Sequence, residues 1–389
     1  MRKTPLLIGL TVLLWGTAVA FGQNNSWVAP CEPSLCNPCD PCGHSTASSF
    51  NFGGWLEMGI YTNSHGSKEN GPMHTDSNRR TDFLMNQLYV FGEKEMNTRR
   101  GFDWGARVDF AYGVDGPNMQ CFGDETFDRD LGTNKHGYGL AVYNLYGRLG
   151  YKDLTVTAGK FTGRVGWEGS ASKDNFFYSH SYCYWIEPAT HMGVIADYNL
   201  TDRLSIAAGW VTGADSSFKN PTNGQTILTG FEYALADNAN VYYYINAGKQ
   251  NYDLDDPATT YDYFVQSVCL EWDVTKRFTY VMQYNLRNDN QRGGSNTNAY
   301  GINNHFLYTL NKQWKAGMRF EWLRDNGGHF GEATQGDYYQ LTWGLNWEPY
   351  KNVSIRPEVR YDWCKGAAPF ADSTKSDQIS GGFGMVLSF

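Results

Sequence analysis

Two lengths of connector take turns along this chain, and that alternation constrains its fold more than any other feature. From Phe50 to Phe389, segments of about ten to fourteen residues recur in which apolar and polar side chains alternate, the period of a strand whose two faces meet different surroundings. The pattern places strands at 50–61, 82–95, 101–112, 138–150, 153–161, 189–199, 203–212 and 226–235, then at 239–250, 260–273, 276–289, 299–310, 313–325, 336–348, 351–363 and 377–389. Connections after even-numbered strands have two to five residues, such as Tyr151-Lys152, Asn311-Lys312 and Pro349-Tyr350, whereas those after odd-numbered strands run from nine to twenty-seven. One end of such a sheet is trimmed and the other elaborated. A soluble sandwich has no reason to do this, but a barrel crossing a membrane, with tight turns on one side and long loops on the other, does.

The alternation is clearest in the last segment. Ile379, Gly381, Phe383, Met385, Leu387 and Phe389 fall on one face, and Gln378, Ser380, Gly382, Gly384 and Ser388 on the other. Trp314, Ala316, Met318, Phe320 and Trp322 repeat it against Lys315, Arg319 and Glu321, and Val353, Ile355, Val359, Tyr361 and Trp363 against Ser354, Arg356, Glu358, Arg360 and Asp362. The segment 82–95, with Gln87 among Phe83, Met85, Tyr89 and Phe91, is less regular. Mean hydropathy is −0.51, and beyond Ala20 no apolar run is long enough for a membrane helix. Aromatics nevertheless supply 16% of the residues. Trp104, Tyr151, Trp272, Trp314 and Trp347 map near the turn end, and Tyr61, Tyr112, Trp210, Trp322 and Trp363 near the loop end, where rings would form two interfacial belts. An open sheet would leave backbone groups unpaired in hydrocarbon at several kcal/mol each, so the sheet has to close. The expected fold is all-β: a transmembrane antiparallel barrel of about sixteen strands, a size that leaves an aqueous lumen.

The N-terminus reads as an export signal. Arg2 and Lys3 precede an uncharged run from Leu6 to Trp15, and Ala18-Val19-Ala20 has the small-x-small pattern of a cleavage site. The expected organisation is a signal peptide at 1–20, a Cys/Pro-rich periplasmic leader at 21–49 and the barrel at 50–389. In the leader Cys31, Cys36, Cys39 and Cys42 are spaced C-x4-C-x2-C-x2-C, which suits disulfides in an oxidising compartment better than a metal site. Cys121 and Cys183 fall in long loops where they could pair, Cys364 begins another loop, and Cys269 points to the polar face. A net charge of −8 spread along the chain argues against a nucleic-acid partner.

Several short stretches resemble a known family. Ala158-Gly159-Lys160-Phe161, the run from Asn175 through Ser181, His191-Met192-Gly193-Val194 with Asp197-Tyr198, and Arg356 through Asp362 are similar to the OmpL-like β-barrel porins of Gram-negative outer membranes. The likeness covers roughly Phe50 to Phe389, and the leader cysteines are not part of it. It implies an outer-membrane channel for small hydrophilic solutes, surrounded by outer-membrane lipid and needing no cofactor. The terminal Phe389 is similar to the signal that barrel-assembly machinery reads. A single barrel and a homotrimer both remain open.

Within that frame Arg107, Asp109, Arg148, Arg287, Arg319, Glu321, Arg356, Glu358, Arg360 and Asp362 are expected to line the pore, where rings of charge select ions and solutes. The plainer reading is that a wet lumen tolerates charges that mostly pair across strands. The third long loop, 162–188, is the longest, and a loop in this position folds inward in large porins. Arg164, Glu168, Lys173 and Asp174 are then its constriction residues, unless the loop stands outward. Two other classes compete. A hydrolase on the barrel rim would need a nucleophile or metal beside a base, but His44, His65, His74, His136, His180, His191, His305 and His329 are scattered and form no H-E-x-x-H motif. A secreted glycan-binding sandwich would explain the aromatics but not the unequal connectors.

Overall fold

The computed structural model describes residues 50–389 apart from 68–80, 122–126, 129–130, 218–223, 252–259, 292–295 and 331–334. The expected signal peptide and leader, with their four cysteines, lie outside the described residues. Sixteen strands follow in order: β1 (Phe50–Asn63), β2 (Leu84–Lys94), β3 (Phe102–Gly113), β4 (Gly139–Tyr151), β5 (Leu154–Thr162), β6 (Thr190–Thr201), β7 (Leu204–Ala214), β8 (Gln225–Ala236), β9 (Ala239–Asn251), β10 (Thr260–Thr275), β11 (Phe278–Gln291), β12 (Asn296–Thr309), β13 (Trp314–Asp325), β14 (Gly336–Tyr350), β15 (Val353–Lys365) and β16 (Asp377–Ser388). Each pairs antiparallel with its sequence neighbours, and β1 pairs with β16 from Trp55↔Ser388 to Asn63↔Ser380, which closes the barrel. Beyond that ladder Gly54 and Phe389 exchange two backbone hydrogen bonds of 3.0 and 2.9 Å, so the last residue is sewn into the seam. Two short helical turns lie in loops, α1 (Gly116–Met119) and α2 (Tyr182–Trp185). Among the described residues no helix is long and apolar enough to cross a membrane.

Every expected strand is present, with ends moved by three residues or fewer. The connector lengths need two corrections. Strands β11 and β12 run further than their apolar pattern, leaving only residues 292–295 between them, and the β2–β3 turn spans 95–101, where a short 3-10 turn at Thr98–Arg100 takes up the extra chain.

Outward faces carry exposed apolar rings. Trp104, Tyr151, Trp272, Trp347, Tyr112 and Trp210 are all exposed, and Trp314–Trp347 and Tyr339–Trp363 stack at 5.6 and 5.0 Å. Tyr61, expected in the outer belt, is instead buried on the inside, where its hydroxyl donates to Glu358 at 2.9 Å. The irregular alternation of β2 has a cause. Register slips where Glu57/Met58 of β1 face Gln87 and Met85, leaving Asn86 as the extra residue of a bulge. Asn86 and Gln87 both end up buried, with Tyr89 inward and Leu88 and Val90 outward. The predicted option of a Cys121–Cys183 pair is not realised. Both thiols are free and buried, Cys121 beside the Ser216 carbonyl and Cys183 among Leu323, Tyr338 and Phe370. Cys364 likewise sits in that cluster within β15 rather than in a loop, and Cys269 is buried on the inner face.

Candidate functional site

The β5–β6 loop, residues 163–189, lies inside the barrel. Its neck is closed by a hydrogen bond of 2.7 Å from the Gly163 amide to the Ala189 carbonyl. Gly166 (φ +105°) passes so close to the Glu187 carboxylate that a Cβ would overlap it, so only glycine serves there. A loop in a barrel lumen has no sheet to satisfy its peptide groups, and buried peptide groups need partners. Here the strands supply them with charged side chains.

Arg319 on β13 donates to Glu168 at 2.7 Å, to the Ser179 carbonyl at 2.8 Å and to the His180 carbonyl at 3.1 Å. Arg360 on β15 donates to the same His180 carbonyl at 2.6 Å while its Nε is held by Asp362. Arg356 reaches the carbonyls of Ser172 (2.7 Å) and Asn175 (2.9 Å) and pairs with Glu57 of β1. The carboxylates complete the set in the opposite sense. Glu321 accepts from the amides of Tyr182 (2.7 Å) and Cys183 (2.6 Å), Glu358 from the amide of Tyr178 (2.8 Å), and Asp362 from the Tyr182 hydroxyl (2.6 Å). All seven of these strand residues are buried. Charges removed from water need partners, and here the loop backbone supplies half of the pairing.

Small residues make the room. A Cβ at Gly317 or Gly384 would overlap Phe176 or Tyr178, one at Gly59 would stand 2.6 Å from the Tyr178 ring, and one at Gly344 3.0 Å from Phe177. Phe176 and Phe177 join Trp167, Val281 and Leu307 in an apolar cluster between loop and wall. The bulged pair of β2 anchors the other edge: Gln87 donates to the Ser170 carbonyl at 2.6 Å, and the Tyr178 hydroxyl donates to Asn86 at 2.9 Å. Burial alone would raise the Glu168 carboxyl, but Arg319, aided by His180 and His305, outweighs it and holds the group well below the usual carboxylate range.

The remaining expected residues are arranged differently. Arg107 keeps a quarter of its side chain exposed, bridges Glu93 (3.0 Å) and Asp109 (2.8 Å), and lies over Phe91. Asp109 itself is buried and accepts from Asn144 at 2.7 Å. Arg148 lies over Tyr146, and Arg287, about one fifth exposed, pairs with Asp289 at 2.9 Å. In the loop, Arg164 is buried against Asp197 of β6 at 2.6 Å, whereas Lys173 and Asp174 pair with each other at 2.9 Å and stay partly exposed. Glu168 and Arg319 thus meet, while Lys173 and Asp174 sit apart from them.

Sequence reasoning passed over a second inward segment. In the β3–β4 loop, buried Asp128 accepts from Lys160 of β5 at 3.1 Å and from the amides of Cys121 and Val142, both at 2.9 Å. Asp115 of the same loop accepts from Gln87 at 2.9 Å. For the β5–β6 loop the signal available beforehand was glycine on the polar face, at 59, 317, 344 and 384, where Phe176, Phe177 and Tyr178 come against the wall. Among the described residues no cluster of His, Cys, Asp and Glu could hold a metal ion.

The family described as "Putative beta-barrel porin-2, OmpL-like" matches residues 49–389. Among solved structures, the anion-selective porin from Comamonas acidovorans is similar at 8% identity, with 88% of this chain and 99% of that one covered and a TM-score of 0.59. The outer membrane channel DcaP of Acinetobacter baumannii follows at 9% identity, 88% and 97% coverage and 0.59. OmpT of Vibrio cholerae, in a trimer form, stands at 12%, 88% and 99%, and 0.56. At these identities the likeness is one of fold. No curated protein matches the chain by sequence.

Proposed function

This chain belongs to the OmpL-like β-barrel porin-2 family, and from that premise we propose how its outer-membrane channel works: small hydrophilic solutes diffuse passively through the water path that the inward loop leaves open. The observation that carries the reading is the attachment of residues 168–183 to β13 and β15 by Arg319, Arg356, Arg360, Glu321, Glu358 and Asp362. A loop so held sets the width of the path without having to move. The partly exposed charges, Arg107, Arg148, Arg287, Lys173 and Asp174, then act on passing solutes, and the buried ones act as fasteners. Arg164 and Glu168 belong to the fasteners of the loop itself.

The reading is of a conduit and not of a rim hydrolase, since the inward carboxylates just named are engaged by guanidiniums, backbone amides and the Tyr182 hydroxyl as fasteners of the loop. Phe389, joined to Gly54 at the seam, is taken as the end that the assembly machinery reads. A trimer is the proposed assembly, by extension from the OmpT structure described in that form.

Planar-bilayer recording of the purified protein tests this. Discrete ion-conducting steps are expected, and replacement of residues 165–187 by a short Gly-Ser link should raise their conductance. An unchanged step in a barrel that still shows heat-modifiable migration on a gel would remove the loop from the constriction. Absence of any conductance in the intact protein would remove the channel.

A further inference from the structure

The latch does more than narrow a passage, because of what it holds in place. Phe176, Phe177, Tyr178 and Tyr182 are consumed by packing between loop and wall, but Tyr184 and Trp185 of α2 keep part of their surface exposed. The His180 ring lies flat on Tyr184, with centroids 3.9 Å apart and planes 10° apart, and Trp185 meets both rings edge-on at 5.2 and 5.9 Å. Ser170 shares a hydrogen bond of 2.8 Å with the Tyr184 hydroxyl. The Trp185 indole N–H has no acceptor among the described residues, although such donors ordinarily find one when shielded from water.

The backbone beneath this stack is fixed at each residue. Two guanidiniums hold the His180 carbonyl, Glu168 holds the Ser181 amide at 2.7 Å, and Glu321 holds the next two amides. Ser181 in turn caps α2 through its hydroxyl, which accepts from the Tyr184 amide. A partly exposed aromatic surface held rigid before any ligand arrives has the form of a preorganised binding platform.

We infer that the His180–Tyr184–Trp185 stack binds one ring of a neutral saccharide on its way through the channel, a reading that rests on the conduit proposed above. A pyranose offers an apolar C–H face to lie on an aromatic ring, while the hydroxyls around its edge keep their water. An anion is less suited, since the guanidiniums that touch this segment, Arg319 and Arg360, are spent on carbonyls and carboxylates.

The test is single-channel recording of the full chain in salt, with glucose, maltose or maltotriose added, and with benzyltrimethylammonium and benzoate as charged aromatic probes. The sugars should interrupt the current in a saturable way. Tyr184→Phe should keep the block, Tyr184→Leu should abolish it in channels that still conduct, and Trp185→Leu, which removes the second ring, should weaken it about ten-fold. Conducting channels that no sugar blocks, that only a charged probe blocks, or in which Tyr184→Leu blocks as the parent does would overturn the platform. If Tyr184→Leu does not fold, the Trp185→Leu result decides. Protein that conducts no ions would refute the conduit instead.

Discussion

The β13–β16 arc and the β3–β4 arc of the same cylinder carry the same kinds of inward residue and use them in opposite ways. On β13 and β15, arginines and carboxylates are buried and bonded to loop peptide groups. On β3 and β4, Arg107 and Arg148 lie over aromatic rings with part of their surface in water, and Arg107 pairs with side chains instead of backbone. The difference is coverage. A guanidinium beneath a loop meets carbonyls that no other group can satisfy, and one on an open wall meets solvent, so burial converts a selectivity charge into a fastener.

The contrast predicts a graded series of effects. Arg319→Met should be the most disruptive, because it takes the guanidinium from the buried Glu168 carboxylate and leaves the Ser179 carbonyl without its donor, a loss of about 3–5 kcal/mol. Limited proteolysis should then cut within 163–189 in a barrel whose gel migration is still heat-modifiable, and a resistant loop would show that the latch is redundant. Gly317→Val should push Phe176 off the wall at about 1–3 kcal/mol, read as a lower unfolding midpoint with larger conductance. On the open arc, Arg107→Gln should cost less than about 1 kcal/mol, yet shift the reversal potential in a salt gradient. Equal stability losses for Arg107 and Arg319 would erase the distinction between the arcs.

Acid gives the smallest effect. The folded Glu168 carboxyl is held below its ordinary value, so its contribution is complete above about pH 4.5, where an unfolded glutamate takes up its proton, and is lost only as pH falls further toward the folded value. Conductance should therefore stay level from pH 7 to about pH 5. A loop-dependent rise within that interval would mean that the Arg319 pair is not what holds Glu168.

How much of this was legible beforehand differs from element to element. All sixteen strands were readable because their period is local: Trp314 to Trp322 sort to one face whatever surrounds them. Tyr61 was misplaced because nearness to a strand end says nothing of the face: the two-residue period puts it inward with Glu57 and Gly59, and closure of the barrel then brings Glu358 beside its hydroxyl. Gln87 read as an irregularity, since a bulge opposite Glu57/Met58 has no signature in β2 alone. The length of the third loop announced that it was unusual, but its inward course depended on partners scattered along the chain, from Asn86 and Gln87 to Asp362.

What the amino-acid order settled unaided is the cylinder: strand number, antiparallel neighbours and which side chains face in, each specified by a two-residue rhythm and the distance to the next turn. What folding alone decided is which inward charges meet water. Arg356 and Ser172 are separated by 184 positions, and Arg319 and Glu168 by 151. No local pattern encodes such meetings, because they exist only once the sheet has curved shut and a loop has been laid across its interior, where an unpaired peptide group costs more than the ordering of the side chain that satisfies it.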